Sequence, residues 1–164
     1  SAQADAGAHA LQVFEAMGMT LGAQMFEELA LPHLEALASK LKARHPDVPL
    51  LVFARGVEDP LAVNLRLQKA GYDVITLDGE AHRSKSRDAL GDSQVLQGNF
   101  DPKLLLPDSS QEKIHAEVVA MLEAFGPDKI LANLGEGLGG KEDQGLVDFF
   151  VNDVHATSAK MISG

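Results

Sequence analysis

Five short apolar runs recur along the chain, and each is followed by a stretch with the periodicity of a helix. Apolar runs of about four to eight residues, bounded by turn signals, are typical of buried strands. A strand buried on both faces is apolar throughout, and parallel strands need crossover helices between them. The alternation therefore predicts a parallel sheet covered by helices, with strands at residues 10–14, 49–54, 73–78, 94–98 and 129–133.

The first helices are predicted from apolar residues spaced three and four apart. This spacing continues from Phe26 to Leu41, but Pro32 interrupts it, which predicts either a kink or two consecutive helices. The next helix is predicted at residues 60–69. A short polar helix that ends near Leu90 follows the third strand.

The last two helices have clearer signals. The sequence S-S-Q-E at 109–112 fits a capping box, in which a serine and a glutamate cap each other's backbone N–H groups. An apolar stripe then runs from Ile114 to Phe125. The final helix is predicted from its apolar positions between Leu146 and Met161.

Length and composition fit a single domain over residues 1–164. Hydrophobic residues make up 45% of the chain, which is enough for a core. No apolar stretch reaches the ~18–20 residues that a membrane span requires. No charged segment followed by an apolar one marks a signal peptide. We therefore expect a protein that neither spans a membrane nor is secreted.

Charge and cysteine content exclude several classes of site. The net charge of −10 argues against a nucleic-acid partner. The absence of cysteine excludes disulfides and thiolate metal sites, and the histidines show no metal-ligand spacing, so no metal is expected. The one basic cluster, H-R-S-K-S-R at 82–87, fits either an anion contact or, more commonly, a solvated helix face.

Two segments near the end of the chain carry a family resemblance. Residues 97–102 read Q-G-N-F-D-P, and residues 133–137 read N-L-G-E-G. They resemble the paired signatures Q-G-N-x-D-P and N-L-G-H-G of the uroporphyrinogen decarboxylase family. Shorter matches follow in the family's order, including L-P-H at 31–33 for L-P-Y, F-A-R at 53–55 for F-A-K, and G-Y-D-V at 71–74.

The resemblance implies a fold and a chemistry. The fold is a (β/α) barrel of the TIM type, of which about five βα units from the C-terminal part would lie in this chain. The family's reaction removes carbon dioxide from the acetate side chains of a polycarboxylate tetrapyrrole without metal or organic cofactor, so we expect no cofactor. The family's pyrrole-binding acid and its carboxylate-binding arginines belong to the N-terminal half, which has no counterpart in these residues.

The sequence departs from the family pattern at three strand ends. The serine of F-[DE]-S is replaced by Ala16, which has no hydroxyl group. The histidine of N-L-G-H-G is replaced by Glu136, and an ionised glutamate accepts hydrogen bonds but donates none. The tryptophan of L-D-W is replaced by Gly79. These changes indicate a site whose ancestral chemistry has decayed, with no catalytic residue assigned.

Four polar residues remain as candidate ligand-binding positions. Asp78 ends the third predicted strand, where sites of this fold lie. Gln97, Asn99 and Asp101 belong to the Q-G-N-F-D-P segment. For the last three the alternative is structural, because an N-x-D-P sequence is a natural turn or helix start.

The strand count predicts partners. A closed barrel of this type has about eight strands, whereas the pattern gives five. Five strands cannot close, so two strand edges and part of an apolar interior would face water. We therefore expect other protein chains to cover the open half-barrel.

Three functions fit these observations. The first is a non-catalytic accessory or structural subunit of a larger assembly. The second is a fragment of an active uroporphyrinogen decarboxylase in heme or chlorophyll biosynthesis, completed by an N-terminal half. The third is a protein that binds a tetrapyrrole without catalysis. The resemblance implies location in the cytoplasm or the plastid stroma.

Overall fold

The five predicted strands are present and form one parallel sheet in chain order in the computed structural model, which describes residues 1–164. Each strand lies within a few residues of its predicted position, so the predicted α/β architecture is confirmed. The strands are β1 (Leu11–Glu15), β2 (Leu50–Ala54), β3 (Val74–Thr76), β4 (Val95–Phe100) and β5 (Ile130–Leu134).

Helices precede the first strand and follow every strand. None of them is long and apolar enough to cross a membrane. Short 3-10 turns at Gly18–Thr20 and Pro102–Leu105 follow β1 and β4. The helices are α1 (Ala2–Asp5), α2 (Ala23–Leu29), α3 (Leu31–Arg44), α4 (Pro60–Ala70), α5 (Arg83–Leu90), α6 (Gln111–Phe125) and α7 (Gln144–Ser163).

The interruption predicted at Pro32 takes the form of two consecutive helices. α2 ends at Leu29 and α3 begins at Leu31, with Ala30 between them. Pro32 therefore lies in the first turn of α3, where its missing N–H has no intrahelical partner to lose.

The start of α6 differs from the predicted capping box by one residue. Ser110 is the N-cap, and its hydroxyl accepts a hydrogen bond from the backbone N–H of Lys113 at 3.4 Å. Ser109 instead closes the preceding turn, because its backbone N–H donates to the carbonyl of Leu106 at 2.9 Å. The prediction that paired Ser109 with Glu112 was therefore wrong, because Ser109 belongs to the local turn before the helix.

One face of the sheet packs against the helices and forms the core. The parallel register aligns Val52 with Ile75 and Ile75 with Leu96, so these side chains point to the same face. They are fully buried and belong to one cluster of 25 buried hydrophobic residues. Burial of each such side chain contributes about 1.5–3 kcal/mol.

The opposite face of the sheet is polar at its centre and open at its sides. The hydroxyl of Thr76 donates to Oε1 of Gln97 at 2.6 Å, and Nε2 of Gln12 donates to the same atom at 3.1 Å. Beside this network, Phe14 is 68% exposed and Leu131 is 43% exposed. In a closed barrel this face would be the interior, so the chain forms only part of a barrel.

The sheet has two free edges. β1 pairs only with β2, and β5 pairs only with β4. Unpaired strand edges are sites where another strand can add. Beside the edge of β5 lies an apolar groove of about 310 Å³, lined by residues that include Ile130, Leu131, Phe150, Val151 and Val154.

Two members of the basic cluster at 82–87 are turned into the protein, so a fully solvated helix face is the wrong interpretation. Arg87 is 8% exposed and donates to the backbone carbonyls of Gly91, Gln94, Phe125 and Lys129. Arg83 forms an ion pair with Glu117. Both arginines therefore join α5 to neighbouring elements, and neither is a free anion-binding group.

Candidate functional site

A cavity of about 230 Å³ lies at the carboxyl ends of β2, β3, β4 and β5. Parallel strands end at the same edge of the sheet, so the loops that follow them lie close together. Four of the lining residues carry carboxylates and two carry cations, which makes the cavity charged and net negative. These residues are Asp78, Glu80, Asp101 and Glu136, and Arg55 and Lys103.

Asp78 lines this cavity, and its carboxylate organises two loops. Oδ2 accepts from the backbone N–H of Gly56 at 3.1 Å, and Oδ1 accepts from the backbone N–H of Glu80 at 3.2 Å. The side chain therefore ties the loop after β2 to the loop after β3 while it presents negative charge to the cavity.

Asp101 also lines the cavity. It is the N-cap of the 3-10 turn after β4, and Oδ1 accepts from the backbone N–H of Lys103 at 2.9 Å. The same turn places Lys103 in the cavity wall. The turn that the D-P sequence predicts is thus formed, and it brings a carboxylate and an ammonium group to the site.

Asn99 lies below the cavity and is 3% exposed. Its Nδ2 donates to the carbonyls of Asp78 and Ala81 at 2.7 and 3.0 Å, and its Oδ1 accepts from Nε of Arg83 at 2.7 Å. These bonds occupy the amide within the protein. Asn99 shapes the loop that carries Asp78 and does not line the cavity.

Gln97 lies on the open face of the sheet and not in the cavity lining. Its carbonyl oxygen is shared by Thr76 and Gln12, as described above. Of the four candidate ligand-binding residues, the fold therefore brings Asp78 and Asp101 together at one cavity and leaves Gln97 and Asn99 outside it.

Glu136 forms an ion pair with Arg55, which no sequence pattern singled out as a site residue. Nη2 of Arg55 donates to Oε2 of Glu136 at 2.9 Å, and both side chains are nearly half exposed. The pair joins the ends of β2 and β5, which are separated by two strands in the sheet. The one sequence feature that could have drawn attention to Arg55 is F-A-R at 53–55, where the family that the chain resembles has a lysine at the position of Arg55.

The loop that follows Glu136 is held by a second carboxylate. The backbone N–H groups of Gly139, Gly140 and Lys141 donate to Glu142 at 2.8–3.0 Å. These bonds, that of Gly139 foremost, hold the pKa of Glu142 below its ordinary value. The carboxylate of Glu142 therefore organises the part of this loop that leads into α7.

The other two departures from the family pattern lie in different places. Ala16 is exposed just beyond β1 and is not part of the cavity lining. Gly79 lines the cavity, and a Cβ atom there would have no heavy atom within 4 Å. A side chain at position 79 would therefore extend into open space at the site.

Two glycines permit the close packing of these loops. Gly98 has a φ of +114°, and a Cβ atom there would lie 2.6 Å from the carbonyl oxygen of Leu77. A Cβ atom on Gly135 would lie 2.7 Å from the backbone N of Gly79. The ends of β3 and β5 thus approach each other closely, as the curvature of a barrel requires.

A charged cavity at the carboxyl ends of parallel strands is the position at which enzymes of the (β/α) barrel class place their active sites. Fold and cavity together define this chain as part of such a barrel. The sequence model of the family described as uroporphyrinogen decarboxylase (URO-D) matches residues 1–157. The chain belongs to this family.

Curated relatives share the similarity over nearly the whole chain. The chain is 40% identical over 159 residues to a uroporphyrinogen decarboxylase of Salinibacter ruber, and the match covers 97% of this chain and 44% of that protein. It is 40% identical over 161 residues to the human enzyme, covering 95% of this chain and 42% of that protein. The chain therefore spans less than half the length of these relatives.

A further relative and a solved structure extend the comparison. Uroporphyrinogen decarboxylase 2, chloroplastic, of Arabidopsis thaliana is 36% identical over 149 residues, covering 90% of this chain and 36% of that protein. A methyltransferase from Methanosarcina mazei matches with a TM-score of 0.72 and 19% identity, covering 95% of this chain and 44% of that structure. At this identity the likeness concerns the fold alone.

Proposed function

We propose that the chain is a part of a uroporphyrinogen-decarboxylase-type barrel that no longer catalyses decarboxylation and serves as an accessory or structural subunit of a larger assembly. The observation that carries this proposal is the ion pair between Arg55 and Glu136 at the cavity. The family's substrate carries several carboxylates, and Glu136 presents a further negative charge where the family signature has histidine. The pair occupies Arg55, and the added carboxylate leaves the cavity net negative, which disfavours an anionic substrate.

Ala16 supports the same proposal. It offers no hydroxyl group where the family signature has serine, so a hydrogen-bonding group is lost at one strand end as well as at Glu136. A direct test restores both in the complete protein that carries this chain, by Ala16→Ser together with Glu136→His. We expect turnover of uroporphyrinogen to rise from background in the double variant. Equal turnover by the double variant and the unmodified protein would contradict the role given to these two positions.

The two free edges of the sheet support a partner that covers them. The partner segment can come from the same polypeptide or from another chain. The mass and composition of the native particle distinguish the cases. A large assembly of unrelated subunits supports the accessory role, whereas a particle that contains only the remaining barrel segment favours an enzyme.

That enzyme is the second candidate, an active uroporphyrinogen decarboxylase of which this chain is one part. It is favoured by the 40% identity to the Salinibacter ruber and human proteins. The retained Q-G-N-F-D-P segment at 97–102 favours it as well. Turnover by the unmodified protein would establish this candidate and exclude the first.

A third candidate is tetrapyrrole binding without catalysis, for which visible absorbance that copurifies with the protein is the test. Location in the plastid stroma is supported by the chloroplastic relative, and the cytoplasm is the alternative. Cell fractionation of the source organism with an antibody against the chain decides between the two compartments.

A further inference from the structure

The guanidinium group of Arg55, one of the two cations at the cavity, is paired with a carboxylate of the same chain, that of Glu136. The contact joins one guanidinium nitrogen to one carboxylate oxygen at 2.9 Å. A guanidinium group can donate to a carboxylate through two parallel bonds, so this single contact leaves donors of Arg55 unused.

The pair can open at little cost. The side chains of Arg55 and Glu136 are 40% and 45% exposed. Ion pairs at this exposure contribute little to stability, because water solvates both partners and salt screens them. A dissolved carboxylate can therefore compete with Glu136 for Arg55.

A second cation lines the same cavity. Lys103 is part of the wall, and its ammonium group makes no ion pair. Arg55 and Lys103 both line the cavity. Two cations at one small cavity suit a ligand with more than one carboxylate.

The remaining acids oppose the binding of an anion, and backbone N–H donors offset part of the charge of two of them. Both oxygens of Asp78 accept backbone N–H groups, and Asp101 accepts the N–H of Lys103. Glu80 is exposed. Opening of the pair lets Glu136 move its charge away, which lessens the excess of negative charge around the ligand.

We propose that Glu136 is a built-in competitor that regulates a carboxylate-binding site formed by Arg55 and Lys103. The inference rests on the proposed role of the Arg55–Glu136 pair in silencing the site. The ligand class is a small polycarboxylate that fits the cavity of about 230 Å³. Carboxylate is favoured over phosphate because the group that Arg55 already holds is a carboxylate.

The test measures citrate binding by isothermal titration calorimetry, using the complete protein that carries this chain and its Glu136→Gln variant. Glutamine keeps the shape and removes the charge. We expect the variant to bind citrate about threefold to tenfold more tightly, because it loses an exposed pair and a repulsive charge. Unchanged affinity overturns the proposal.

Matched variants assign the gain to Arg55. Glu35→Gln removes the negative charge from an exposed ion pair outside the cavity, in which Arg66 holds Glu35 by two hydrogen bonds, and it should leave citrate binding unchanged. Arg55→Met added to Glu136→Gln should abolish the gain. An equal gain in Glu35→Gln, or a gain that survives the loss of Arg55, would show that binding lies elsewhere.

Inorganic phosphate serves as the competing probe. A gain for phosphate as large as that for citrate would overturn the assignment to carboxylates. Turnover of uroporphyrinogen, measured on the same preparations, separates this inference from the proposed function. Turnover by the unmodified protein would refute the loss of catalysis, whereas the citrate series alone decides the role of Glu136 as a competitor.

Discussion

The hydroxyl of Tyr72 donates a hydrogen bond to the backbone carbonyl of Leu34 at 2.9 Å, within the core that joins α3 to the start of β3. Tyr72 is 2% exposed, and its burial raises the pKa of the phenol to about 12. The value for an unfolded chain is about 10.

This difference predicts the alkaline limit of stability. The neutral phenol is favoured in the folded state, so its contribution is fully present below pH of about 10. It is lost as the pH rises through the folded value of about 12. The free energy of unfolding should fall by about 2–3 kcal/mol across this window.

The chain contains one tyrosine and no tryptophan, so the tyrosinate absorbance band reports on Tyr72 alone. Folded protein should titrate well above denatured protein. Tyr72→Phe removes the alkaline loss and costs about 1 kcal/mol at neutral pH, because one hydrogen bond is gone. Coincident titration of folded and denatured protein would show that burial does not raise the pKa of Tyr72.

Arg87 should be a major determinant of stability. It links the end of α5 to the loop after α6 through four backbone carbonyls. Arg87→Met removes one donor from each of these carbonyls. Gly91 and Lys129 keep a backbone N–H donor, whereas Gln94 and Phe125 lose the donor that Arg87 supplies. The free energy of unfolding should fall by about 3 kcal/mol in urea titration. Lys85→Met, on the exposed face of the same helix, is the control and should change it by less than about 0.5 kcal/mol.

The contact between the ends of β3 and β5 predicts opposite responses of two neighbouring glycines. Gly135→Ala places a Cβ atom 2.7 Å from the backbone N of Gly79 and should destabilise by about 1–3 kcal/mol. Gly79→Ala meets open space and should change stability by less than about 0.5 kcal/mol. Thermal unfolding of both variants checks this contrast, and an equally small effect of the two substitutions would show that the two loops do not touch.

Features set by local sequence could be predicted, whereas those set by distant partners could not. The strands and the break at Pro32 depend on apolar runs and on proline geometry. Asp78 and Asp101 could be placed at the site because parallel strands end at one edge. The Arg55–Glu136 pair joins residues 81 positions apart, and side-chain choices at that separation leave no periodic signal.

The burial of Arg87 is a second feature that depends on distant residues and could not be predicted. A run of basic residues on a short helix is typical of a solvated face. Its four acceptors lie in the loops before β4 and β5 and at the last residue of α6, so only the assembled fold reveals that this arginine is buried. Asn99 is similar, because its amide is bound by carbonyls of the loop after β3.

The most direct test is turnover of uroporphyrinogen by the complete, unmodified protein that carries this chain, isolated in its native assembly. The human relative, assayed in parallel, is the positive control. We expect no decarboxylation above background, because Glu136 pairs with Arg55 at the cavity and Ala16 lacks a hydroxyl group. Turnover at a rate comparable to that of the relative would contradict the loss of catalysis.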